Sequence, residues 1–81
     1  MAARSPQHAA LGWTIKQFRS QREMSQEEFG YLVGLHRNQV GSLERGEQNV
    51  TIGLLFRIGE ALEMPLSELF ALYDQRQRTT T

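Results

Sequence analysis

There is no cysteine among the 81 residues, which rules out disulfides, thiolate chemistry and cysteine-ligated zinc together and fits a reducing compartment. Lysine is nearly absent: eight of the nine cations are arginine and only Lys16 is not. No stretch approaches the roughly 18 apolar residues of a membrane span, and the opening MAARSPQHAA has no apolar segment of the secretory kind. The chain therefore reads as soluble and cytoplasmic. Its two histidines, His8 and His36, are too few and too far apart for a metal site, and no clustered acids complete one. Glu27 and Glu28 are adjacent on a helix and point about 100° apart, so they do not form a catalytic carboxylate pair. A phosphate-cradling glycine loop and a serine nucleophile elbow are both missing. No catalysis, cofactor, metal or small-molecule ligand is expected.

The acids and bases cancel to a formal charge of zero, so the broad positive field that drives indiscriminate nucleic-acid binding is lacking. Arginine, however, carries a planar fork that pairs bidentately with phosphate or guanine. Glu27 and Glu28 sit in a first helical turn, where they complement the helix dipole. Glu60, Glu63 and Glu68 fall around the fourth and fifth predicted helices, which puts an acidic side away from the basic one. An apolar content of 40% supports one small core, worth rarely more than about 3–5 kcal/mol, so tight packing or a partner subunit is expected to add stability.

The richest stretch is Ser25 to Gly46. Ser25 and Glu28 have capping-box spacing, so a helix starts at Gln26. Phe29 and Val33 share its buried face, and Gly34 supplies a left-handed stop. His36 or Arg37 opens a second short helix in which only Val40 and Leu43 look inward. Arg37, Asn38, Gln39, Ser42 and Arg45 are left to solvent, and Gly46 closes the helix.

Around this pair, a leader through about His8 (residues 1–8) is expected to be flexible, followed by a helix from about Ala9 to Glu23 with Leu11, Ile15 and Phe18 buried. Thr51 caps a fourth helix with Ile52, Leu55, Ile58 and Leu62 inward. Met64-Pro65 ends it, and Leu66 to about Tyr73 forms a fifth. Residues 9–74 are thus one domain, and residues 75–81 form a flexible tail. The fold class is all-α, a compact five-helix bundle.

These residues resemble the helix-turn-helix family of phage Cro and repressor (XRE-like) DNA-binding domains. The match runs from about Leu11 to Phe70 and is carried by Ser25-Gln26-Glu27-Glu28, Gly34, Glu44-Arg45-Gly46 and Pro65-Leu66-Ser67-Glu68-Leu69-Phe70. The size looks most like that of the small single-domain members, such as restriction-modification controller proteins. Gly41 lies inside the second motif helix, at a cost of about 1 kcal/mol relative to alanine, where the family usually has a polar residue. Gly30 and Gly59 stand in for small alanines, and Tyr31, Leu32 and Leu54 are apolar where the family is commonly polar.

The resemblance implies a lambda-repressor-like fold and a sequence-specific transcription regulator, nucleoid-associated, that places helix three in the major groove of double-stranded DNA. Arg37 would read guanine, Asn38 or Gln39 adenine, and Ser42 a base or a phosphate. Phosphates would be held by Gln26 and His36, and by Arg45, Gln48 and Asn49 unless those three are simply a solvated loop. Arg19 and Glu44 would form the ion pair joining helix one to helix three. Reading a short pseudo-palindrome implies a homodimer, for which Leu54, Met64, Leu66, Leu72 and Tyr73 are the apolar candidates, with Met64 and Leu66 equally readable as core. A different reading of the same fold is a protein-interaction module, an antitoxin or coactivator-like adaptor, docking through Tyr31, Leu32 and Leu54.

Overall fold

A computed structural model describes residues 2–79. They form five helices, α1 (Pro6–Gln21), α2 (Gln26–Val33), α3 (Arg37–Glu44), α4 (Ile52–Leu62) and α5 (Leu66–Thr79), with no strand among the described residues. The local signals act where expected. Ser25 and Glu28 each accept from the other's backbone N–H, at 3.0 and 2.8 Å, at the start of α2. Gly34 and Gly46 adopt φ of 79° and 78°, a left-handed conformation that an L side chain resists. Thr51 Oγ1 accepts from the Leu54 N–H at 3.1 Å and starts α4.

Both outer helices run further than the sequence suggests. α1 begins at Pro6 instead of Ala9 because Ser5 caps it, accepting from the His8 N–H at 3.1 Å, and proline at a first-turn position has no N–H to lose. The segment ahead of it, expected as a flexible leader, is tied to the end of α3 by a hydrogen bond from the Arg4 N–H to the Gly46 carbonyl at 2.8 Å. α5 continues six residues past Tyr73 to Thr79, into the expected tail. There the Arg76 guanidinium stacks over the Trp13 ring of α1, 4.5 Å from its centre, a cation–π contact that rewards the extra helical turns. Thr80 and Thr81 of that tail lie outside the described residues.

The core is one cluster in which Ile15, Phe29, Val33, Val40, Ile58, Leu62 and Leu69 are fully enclosed. Every helix contributes, so α3, with only Val40 and Leu43 as apolar anchors, is held by its neighbours more than by its own propensity. Leu11 is half-buried at the margin of this cluster. Ile52 departs from its expected inward position: it is 65% exposed and shares an outer stripe of α4 with Phe56, four residues on and 55% exposed. Leu55, Ile58 and Leu62 define the inner stripe.

Candidate nucleic-acid interface

The placement of α3 rests on contacts to its backbone and to one buried carboxylate. Glu44 Oε2 accepts from Arg19 Nε at 2.6 Å, and Oε1 accepts from Arg19 Nη2 at 3.1 Å and from Gln26 Nε2 at 3.0 Å. The third nitrogen of Arg19 donates to the Met24 carbonyl at 2.7 Å. One side chain from α1, one from α2 and one from α3 are thus locked together, and the fork geometry sets the angle at which α3 leaves the body. Close backbone approach helps: Gly12 of α1 lies directly against the carbonyls of Leu43 and Glu44.

The first turn of α3 is capped by its own residues. His36 Nδ1 accepts from the Asn38 N–H at 3.1 Å, and Gln39 Oε1 accepts from the His36 N–H at 2.8 Å. This is a capping box with histidine in the place of serine. Spacing alone contains that signal, since Gln39 stands three residues after His36, one of the two residues expected to open the helix. With Nδ1 occupied, His36 keeps Nε2 as its free donor edge. Gln39 keeps its amide nitrogen, while its oxygen is spent on the cap.

Arg37 and Asn38 are exposed, and among the described residues neither side chain makes a hydrogen bond. They are therefore the two polar groups that α3 offers outward without first giving something up. Ser42 is not free in that sense. Its hydroxyl donates to Glu47 Oε1 at 3.2 Å and accepts from Gln48 Nε2 at 3.1 Å. Arg45 donates from Nε and Nη2 to Glu47 at 3.0 and 3.3 Å. That fork holds the Glu47 carboxyl below the usual carboxylate range and raises Arg45 in return. Ser25, chiefly through its backbone N–H, lowers Glu28 in the same way. Asn49 Oδ1 accepts from His8 Nε2 at 2.6 Å. That bond ties the loop after α3 to the first turn of α1 and leaves the amide nitrogen of the exposed Asn49 as a donor.

The apolar candidates also need revision. Leu54 and Met64 are buried in the core, so they offer little surface to a partner, and Leu54 likewise adds little to the docking patch suggested with Tyr31 and Leu32. Leu66, Leu72 and Tyr73 are half-buried. Among the described residues, the large apolar side chains that remain exposed are Ile52 and Phe56 on α4 and, at 86% and 52%, Tyr31 and Leu32 on α2. On the helix wheel Ile52 and Phe56 form an i, i+4 pair about 100° away from Leu62.

Comparison with known proteins agrees with this geometry. A family model described as helix-turn-helix matches residues 15–69. The control protein C.SmaI of Serratia marcescens is 36% identical over 59 residues, which span 73% of this chain and 70% of that protein. Among solved structures, the restriction-modification controller protein C.AhdI from Aeromonas hydrophila is similar with a TM-score of 0.72 and 33% identity, over 75% of this chain and 92% of that one. The clp gene regulator ClgR from Corynebacterium glutamicum superposes with a TM-score of 0.88 at 20% identity, over 91% of this chain and 79% of that one, a likeness of fold.

Proposed function

This chain belongs to the helix-turn-helix family, and from that premise we infer that it is a cytoplasmic, nucleoid-associated transcription regulator that binds a short pseudo-palindromic site in duplex DNA as a symmetric homodimer. The observation that carries the reading is the exposed Arg37–Asn38 edge at the start of a helix whose angle is set by the Arg19–Glu44 pair. In the docking geometry of the family, that edge faces base pairs in the major groove while the N-terminus of α2 lies on the backbone. Arg37 then donates two hydrogen bonds to guanine O6 and N7, and Asn38 pairs with adenine N6 and N7. Gln39 and Ser42 join only by exchanging the internal bonds they already make. The free N–H groups of α2, with the second amide hydrogen of Gln26, and the Nε2 edge of His36 hold phosphates. The similarity to control proteins favours a role in a restriction-modification system.

Selection of bound duplexes from a random pool tests this directly, returning half-site, spacing and symmetry. Arg37→Ala is expected to cost about 1–3 kcal/mol and relax base preference at one position per half-site, whereas Gln26→Ala weakens all sequences alike. Indistinguishable profiles for the two variants would refute the division of labour.

Two copies must present their α3 helices about 34 Å apart to reach successive major grooves on one face. We place the two-fold contact on the outer stripe of α4, with Ile52 and Phe56 at its centre in place of the buried Leu54 and Met64. Phe56→Glu should convert a dimer at tens of micromolar to a monomer in sedimentation equilibrium while leaving the helical spectrum intact. A wild-type chain that is monomeric both free and on DNA would defeat the dimer. If instead every duplex binds only in the micromolar range with a shallow salt slope, the exposed Tyr31 and Leu32 make a protein-docking adaptor the better reading.

A further inference from the structure

Glu47, one residue beyond the glycine that ends α3, folds back onto the helix. Its two carboxylate oxygens grip the Arg45 fork at 3.0 and 3.3 Å, and one of them also takes the Ser42 hydroxyl at 3.2 Å. The Glu47 side chain is 11% exposed while Arg45 is 61% exposed, so the acid is seated in the protein and the guanidinium lies over it facing solvent. The guanidinium lies back along the helix over Gly41, where a Cβ would come 3.2 Å from Arg45 Nη1 and ask it to shift by a few tenths of an ångström.

A DNA phosphate offers an arginine fork the same thing this carboxylate offers: two oxygens in one plane at hydrogen-bond distance. We propose that the Glu47 carboxylate is an internal stand-in for phosphate, which keeps Arg45 off the duplex until α3 is seated in register and a correctly placed phosphate displaces it. The proposal rests on the DNA-binding reading above. With its guanidinium open to solvent, an ion pair of this kind is screened and weak, so a well-aligned phosphate exchanges with it readily. A phosphate out of register does not, and Arg45 then adds nothing to sequence-independent binding. Together with the zero net charge, the latch holds background affinity down and reserves one cation for the correct site.

The counterion slope reads this out, because each phosphate neutralised contributes about 0.9 to the fall of log affinity with log salt. With a non-cognate duplex, Glu47→Gln is expected to steepen the slope by about 0.9 and to raise affinity about two- to fivefold. On the operator selected from the pool, where Arg45 already touches phosphate, the slope should stay unchanged. Glu47→Asp keeps the charge but withdraws the carboxylate by one methylene, so it should move the non-cognate slope in the same direction. In an Arg45→Ala background neither substitution should alter the slope. An unmoved non-cognate slope, or a change of equal size with and without Arg45, overturns the latch. If the random pool yields no bound duplex at all, it is the DNA-binding reading that falls.

Discussion

Glu44→Ala is expected to remove about 3–5 kcal/mol of folding stability, which for a domain of this size is comparable to everything its core supplies. The reason is what the substitution leaves behind. Arg19 is buried against Glu44 at 2.6 Å, and among the described residues the other partner of its guanidinium is the Met24 carbonyl. Removing the carboxylate leaves a guanidinium on a side chain only 10% exposed without its counter-charge, and it takes the Gln26 amide's partner as well. Urea unfolding should show the midpoint collapsing with little change in slope. Replacing both partners together, as Arg19→Met with Glu44→Leu, should recover most of the loss, since two apolar side chains of similar volume leave no charge to desolvate. A single variant that unfolds at the wild-type midpoint would show that the pair is not what holds α3.

The second large effect is expected at Gly12. A Cβ built there falls 2.4 Å from the Leu43 carbonyl oxygen and 2.6 Å from that of Glu44. Those atoms are backbone of the last turn of α3, so no side-chain rotation relieves the clash and the two helices must separate. Gly12→Ala should therefore cost about 3 kcal/mol, a fall in melting temperature on the order of 15 °C. Gly53 is the control. A Cβ at that position meets nothing within 4 Å, and alanine in a helix is favoured over glycine by about 1 kcal/mol, so Gly53→Ala should melt at or above the wild type. Calorimetry of the two variants checks both signs.

Gly12 also shows where sequence reasoning stops. α2, α3 and the start of α4 were legible because their signals are local: a serine three residues before a glutamate, a glycine at each stop, a threonine ahead of an apolar run. The demand for glycine at position 12 comes from a carbonyl more than thirty positions away, and nothing beside it in the chain hints at that. The same holds for the end of α5 and for the residues ahead of α1. The Trp13 ring prolongs the end of α5, and the Gly46 carbonyl holds the residues ahead of α1, whereas the first turn of α1 itself follows from the local Ser5 cap and Pro6. The Arg19–Glu44 pair was reached through family resemblance rather than spacing, and the geometry places it as that resemblance implied. The outward polar residues of α3 were recognised as a set, but not how they are divided. Which of them bond to their own neighbours depends on rotamers, and Gln39, Ser42 and Arg45 had already chosen partners within the chain.

That division has a practical side. Since Arg37 and Asn38 support neither a cap nor a packed contact, the scaffold is indifferent to what occupies those two positions. A library randomised at 37 and 38 alone should retarget the protein to new sequences at almost no cost in solubility or yield, whereas one that includes 39 or 42 would also give up the cap of α3 or the contacts to Glu47 and Gln48.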